Sequence, residues 1–261
     1  MKIGVSYNIF DGEELLEESI KSIKNNVDYI SVVYQTVSNF GNPCDKSLVP
    51  LLEDLKERGL VDELYFYDVK LNEHCSTNEM MKRNVGLGLS RVNGCTHHMS
   101  MDSDEFYIDE QFKYMKKIMM EGNYDSSACK LITYYKTSEY KLQPNEEWYV
   151  SLLFKINGRA YISTKGEWER LMVDPTRRML TNKIRVFSRE EIEMHHMSHV
   201  RKDLRKKYIN SSARENFGNK IDGWVDFHNN FDESMVGTGF PGNVEHKIIK
   251  TEKLFDIGNC C

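Results

Sequence analysis

The sequence predicts an α/β fold with a mostly parallel sheet flanked by helices. Over roughly the first hundred residues, apolar β-prone runs alternate with amphipathic stretches of helical period, which implies βαβ units with right-handed crossovers. The β-prone runs, such as "YISVVYQ", are continuously apolar, as suits strands buried on both faces. Turn and cap residues separate the two kinds of segment.

In order, "KIGVSYNIF" reads as a first strand. Asp11 is the expected N-cap of the next helix, with Glu14 completing a capping box, and Leu16, Ile20 and Ile23 form its apolar stripe. "YISVVYQ" is the second strand, "LVPLLEDLKERGL" a helix closed by Gly59, and "ELYFYDV" the third strand. "STNEMMKRNVGLGLSRVNG" is a helix capped by Ser76 or Thr77 and stopped at Gly94; "THHMSMDSDEFY" is the fourth strand. After the amphipathic "EQFKYMKKIMMEG", several strand-like runs follow without long helices between them, the expected antiparallel completion of the sheet. A loop and a basic helix come next, in "EMHHMSHVRKDLRKKYINSSARENF". The expected organisation is one domain over residues 1–217, in two halves (1–110 and 111–217), with a loop-rich extension over 218–261.

The chain has 261 residues, 40% hydrophobic and 29% charged, enough for one large globular domain. A formal charge of −5 weighs against nucleic acid or an anionic membrane as the main partner, although a modified-base acceptor stays open. No run approaches the ~18–20 apolar residues of a membrane span, and no apolar leader is visible at the start. Six cysteines without CxxC spacing read as reduced thiols, which sets the expectation of a cytoplasmic protein.

The run "HHMSMDSDEFY" places Asp102, Asp104 and Glu105 directly after a buried strand, at the strand end where such sheets bind ligands. Clustered carboxylates need a cation. Hard oxygen ligands suit Mg²⁺ or Mn²⁺, ions that leave positions for phosphate oxygens. A phosphatase with a nucleophilic Asp would carry its DxD on the first strand, and an EF-hand would spread its ligands over a longer, Gly-centred loop; neither pattern fits. Downstream, "HHMSHVRK" offers His195, His196 and His199 as a further metal ligand. Six basic residues lie between Arg201 and Arg214, of which Arg201 and Lys206 are the candidates for neutralising phosphate; the others read as surface charges.

The opening "GVSYNIFDGEELLEESI" and the run "KRNVGLGLSRVNGCTHHMSMDSDEFY" resemble a family 2-type glycosyltransferase with a GT-A, Rossmann-like fold. "VDPTRR" and "HHMSHVRKDLRKKYINSSARENF" extend the resemblance to about Phe217. The resemblance implies a metal-dependent enzyme that uses a nucleotide-sugar donor, UDP- or GDP-linked, and a glycan or other hydroxyl acceptor. It implies that Asp104 is the main metal ligand and that Asp102 lies by the ribose or the metal, with His196 favoured to complete the shell. Lys82, Arg83 and Asn84 would face the nucleotide, and Asn8 and Gln35 would border its base. An inverting reaction of this kind needs a carboxylate base. Asp174 is the first candidate, Glu147 the second, with Trp148 and Tyr149 as a sugar platform, and Glu169 and Glu167 are further ones. Nucleotidyl transfer, or a non-catalytic carbohydrate- or nucleic-acid-binding module, remains the alternative.

Overall fold

The computed structural model describes residues 1–164, 174–179 and 183–257. In chain order the elements are β1 (Ile3–Ile9), α1 (Glu13–Ile23), β2 (Tyr29–Tyr34), α2 (Leu48–Glu57), β3 (Glu63–Phe66), α3 (Cys75–Val92) and β4 (His97–Asp102). Then come β5 (Glu105–Phe106), α4 (Asp109–Gly122), β6 (Ser126–Tyr135), β7 (Thr137–Gln143), β8 (Tyr149–Lys155), β9 (Ile162–Ser163), β10 (Arg178–Met179) and β11 (Ile184–Val186). The chain continues with β12 (Glu193–His199), α5 (Leu204–Asn210), α6 (Ile221–Asn229), β13 (Gly239–Phe240) and β14 (Asn243–Lys250).

One mixed sheet carries the order β13-β14-β7-β6-β8-β4-β1-β2-β3. Strands β4, β1, β2 and β3 run parallel, as the alternating pattern requires, and β8, β6, β7 and β14 continue antiparallel. The expected mostly parallel sheet with helices on it and an antiparallel completion is therefore the observed architecture. Its core joins Val5, Tyr7, Val32 and Met101 of the parallel strands to Leu16 and Ile20 of α1 and Phe112 and Met115 of α4, all fully buried. Burial of this kind contributes about 25 cal/mol per Å² of apolar surface. Strand β12 leaves the main path: it pairs parallel with β6 and antiparallel with β5, so His196 stands opposite both Thr133 and Glu105.

Three local expectations differ. Asp11 does not cap α1; Gly12 does, at φ 75°, without a side-chain cap. A Cβ at Gly12 would lie 1.3 Å from Arg201 Nη1, so the missing side chain is what lets that guanidinium reach the turn. Helix α3 is capped by His74, whose ring accepts from Ser76 N, so the helix starts ahead of both expected caps. The segment after residue 217 is not simply loop-rich: α6 packs Val225 on Leu204 and Tyr208, and Phe240 and Ile248 close over Tyr135, Tyr140 and Leu142. No helix among the described residues is long and apolar enough to cross a membrane.

Candidate active site

The site lies at the carboxyl ends of β1 and β4, where Asn8 is in register with Asp102. The two aspartates of the DSD turn face different partners. Around Asp102, two guanidiniums interlock with three carboxylates. Arg83 of α3 donates through Nη2 to Asp102 (3.1 Å) and Asp174 (2.6 Å), through Nη1 to Ser100 Oγ (2.8 Å) and through Nε to Thr176 Oγ1 (3.0 Å). Arg177 donates through Nε to Asp174 (3.0 Å), through Nη2 to Asp102, and through both terminal nitrogens to Glu105. Asp174 also caps the short turn Pro175–Arg177, accepting from Thr176 N (2.7 Å) and Oγ1 (2.6 Å).

Burial would raise the Asp102 carboxyl, but Arg177 and Arg83 outweigh it and hold that group below its ordinary value. Asp174 is held low against burial by the same two guanidiniums, Arg83 foremost. Glu105 is 2% exposed, and there burial wins: its carboxyl is pushed up to about 7 despite Arg177.

Asp104 is 4% exposed and sits under two cations from one segment. Arg201 Nη2 lies 2.6 Å and Lys207 Nζ 2.9 Å from Oδ2, while His196 Nε2 is 3.7 Å from Oδ1. Burial opposes ionisation, but Lys207 and Arg201 overcome it and hold the carboxyl well below the usual range. Burial lowers His196 to about 4, against Asp104, so the imidazole is neutral at pH 7. Beside this pair opens a cleft of about 410 Å³, lined by Asp11, Gly12, Glu14, Arg201, Lys206 and Lys207 among others.

Only part of this set suits a divalent ion. Asp104 Oδ1 and the neutral His196 Nε2 are 3.7 Å apart, within what one ion bonded to both at about 2.1 Å can span. These two residues fit such an ion. Asp102 accepts from Arg83 and Arg177 through its carboxylate, and among the described residues no three His, Cys, Asp or Glu side chains form a ready metal cluster.

The other sequence candidates separate by their contacts. Lys82 is 5% exposed and makes no hydrogen bond or ion pair with the described residues. Burial lowers its ammonium, while the charges of Glu79, Asp102 and Asp11 pull the other way. Asn8 donates to Ser100 Oγ at 3.3 Å. Gln35 donates to Val37 O at 2.7 Å, within its own loop. Asn84 is likewise engaged elsewhere: it exchanges hydrogen bonds with the backbone of Ile162 and so pins β9 to α3. Lys206 pairs with Asp45 and lies over the Phe10 ring on the cleft wall. Glu147 is exposed and pairs with Lys130. Glu169 and Glu167 fall outside the described residues. His195 bonds the Tyr134 hydroxyl (2.9 Å) and His199 that of Tyr208 (3.0 Å), so both serve packing.

Lys207 and Glu79 are not among the sequence candidates, and Glu105, noted there as part of the carboxylate cluster, carries no assigned role. The signal for Lys207 is helical spacing, since it shares a face of α5 with the buried Leu204 and Tyr208. Glu79 lies one turn before Arg83 on α3 and accepts from Ser212 Oγ at 3.3 Å. Burial, and then the charge of Asp174, raise its carboxyl.

No protein-family model matches the chain, and no curated protein does. Among solved structures it is similar to S. aureus TarS, with a TM-score of 0.49 and 14% identity over 90% of this chain and 44% of that one. A structure of TarS 1-349 in complex with UDP-GlcNAc gives 0.48 and 14% over 90% and 69%, and GalNAc-T7 with UDP, GalNAc and Mn²⁺ gives 0.40 and 11% over 67% and 30%. The chain thus spans less than half the length of the full TarS chain.

Proposed function

We propose that the chain is a GT-A-type glycosyltransferase that moves a sugar from a nucleotide diphosphate donor to a hydroxyl acceptor. One observation carries the reading: Lys82, a lysine only 5% exposed and without a hydrogen-bonding partner among the described residues, stands beside a DSD turn at the carboxyl end of a parallel sheet. A buried cation in that state is costly unless an anion arrives. A diphosphate supplies the charge, and Arg201 and Lys207, gathered on Asp104 of the same turn, offer further cations.

In this reading Asp104 and His196 would hold a Mn²⁺ or Mg²⁺ ion, which would supply electrostatic stabilisation of a leaving diphosphate. Lys82, Arg201 and Lys207 add protein charge to the same leaving group. Asp102, fixed by Arg83 and Arg177, presents an acceptor edge to the ribose hydroxyls. Asp174 is the first candidate for the base by sequence, yet two guanidiniums and Thr176 occupy it and depress its proton affinity. It suits the task of fixing Arg83 and Arg177. Glu79 has no guanidinium or ammonium within ion-pair distance among the described residues and its carboxyl is raised, which suits it to take the acceptor proton.

The test is a thermal-shift series with UDP, GDP, CMP and dTDP, each with and without Mn²⁺, on wild type and on Asp104→Asn. The expected result is a metal-dependent rise in melting temperature for one nucleotide, absent in the variant. A cooperative melt that no nucleotide moves sinks the proposal. Products then separate the classes: a glycosyltransferase releases the nucleoside diphosphate, whereas a nucleotidyltransferase releases pyrophosphate.

A further inference from the structure

We infer that Arg201 and Lys207 keep free divalent cations away from Asp104 and His196, and that a diphosphate lifts this exclusion by drawing the two cations onto itself, so metal and diphosphate bind as an interdependent pair. The inference rests on the diphosphate reading of the site. It assigns Lys207 a positioning role that its place in a basic run does not suggest.

Three structural facts lead to it. Asp104 is 4% exposed, so it cannot stand ionised without a positive neighbour. Its two neighbours come from a single stretch: Arg201 just before α5 and Lys207 within it, both bonded to the same oxygen, Oδ2. The other oxygen, Oδ1, faces the His196 ring nitrogen Nε2 at 3.7 Å, a separation that one ion bonded to both can span.

Each partner arriving alone meets an unfavourable charge. A dication at Oδ1 would lie within a few ångströms of an ammonium and a guanidinium already gathered on Oδ2, and like charges at that range repel. A diphosphate alone would attract Lys207 and Arg201 but would leave Asp104 buried without its full complement of positive charge. When both arrive, the groups re-pair: the cation takes Asp104 and the diphosphate takes Lys207 and Arg201. Neither side is left unpaired, so each ligand must strengthen the other by the same factor.

Lys207 is anchored for this exchange. Its ammonium also donates to Ser198 O (2.6 Å) and Ser198 Oγ (2.8 Å), at the end of the strand that carries His196. It can therefore shift its third hydrogen bond from a carboxylate to a phosphate oxygen while staying tied to β12. Arg201 is held against the Gly12 turn, where no Cβ stands in its way.

Binding is measured directly on the full chain by calorimetry, with free Mn²⁺ followed by electron paramagnetic resonance. The probes are MnCl₂ alone, inorganic pyrophosphate alone, and each in the presence of the other. The expected result is weak Mn²⁺ binding that tightens about tenfold or more with pyrophosphate, and the reciprocal gain for pyrophosphate. In Lys207→Met, Mn²⁺ alone should bind roughly tenfold tighter than to wild type and the mutual gain should shrink; Lys207→Arg, which keeps the charge, should leave Mn²⁺ alone weak. Wild-type Mn²⁺ binding that is equally tight with and without pyrophosphate overturns the inference. So does a failure of Mn²⁺ to bind under either condition, or a folded Lys207→Met that binds Mn²⁺ no better than wild type. Because pyrophosphate carries no base or sugar, UDP and GDP titrated alongside separate the two ideas. If neither binds better than pyrophosphate while the mutual gain persists, the donor reading fails and this one stands. If a nucleotide binds tightly without any effect of Mn²⁺, the donor reading stands and this one fails.

Discussion

Two residues apart, Asp102 and Asp104 show two ways to hold a carboxylate, the first half-buried and the second buried. Asp102 belongs to a lattice of three carboxylates and two guanidiniums, whose members reach in from α3, the DSD turn and the turn Pro175–Arg177. No single charge there can leave without stranding another. Asp104 instead has two cations delivered by one segment and a neutral histidine on its free side. The first arrangement fixes geometry, and the second can exchange partners. Proximity in sequence therefore says little about how mobile a charge is; the number of separate elements that hold it says more.

The sharpest way to break the contrast is Arg177→Met. It would leave Glu105, 2% exposed, without its bidentate partner and unbalance Asp102 and Asp174. The expected loss is about 3–5 kcal/mol in a urea titration; a loss under about 1 kcal/mol would show that the lattice does not hold the fold. Next in size, Glu79→Gln should lower kcat by at least about a hundredfold while nucleotide binding persists. Asp174→Asn should instead lower stability and kcat together, because it releases Arg83 and Arg177. If Asp174→Asn abolishes turnover without moving the melting temperature, the two assignments must be swapped.

On the Asp104 side, Gly12→Ala combines a left-handed φ of 75° with a Cβ set on Arg201. It should cost about 1–3 kcal/mol and weaken pyrophosphate binding more than it weakens the sheet. Unchanged binding would mean that Arg201 does not need the turn. The smallest effect is a pH dependence. His195 and His196 are each lowered to about 4 by burial, so the unfolded chain binds more protons than the native one between about pH 6.5 and 4. Their contribution is complete above the unfolded value and is lost as the pH falls through that window. Each histidine should steepen the fall by up to about 1.4 kcal/mol per pH unit, and His195→Phe should flatten it. An equally steep fall in that variant would locate the effect elsewhere.

Much of the parallel half is legible in the sequence because its signals are local: continuous apolar strands, helical stripes and glycine stops each occupy one short window. Asp102 and Asp104 are legible as a strand-end pair by the same kind of reading, whereas His196 is singled out from its neighbours only through the resemblance. What escapes it is set by contacts between distant segments. Asn84 reads as a nucleotide contact until β9 arrives to take both of its hydrogen-bonding ends, and Gln35 turns into its own loop. Asp174 reads in sequence as a reactive carboxylate before a proline, and nothing nearby foretells that Arg83, from another element, will bind it. The final strand β14 is not readable beforehand because "NVEHKIIK" is short and half polar, and only β7 gives its apolar residues somewhere to go.

The parting of Arg201 and Asp104 by 97 residues, and of Arg177 and Asp102 by 75, bears on how the molecule comes into being. Closing such loops is slow compared with forming a helix or a local turn. During synthesis the DSD turn emerges after Arg83 but long before Arg177, Arg201 and Lys207, which complete its neutralisation. Its three acids then face water as an ordinary hydrated loop, and the parallel strands beneath them can assemble first. The site is complete only once the late basic segment has docked on the turn.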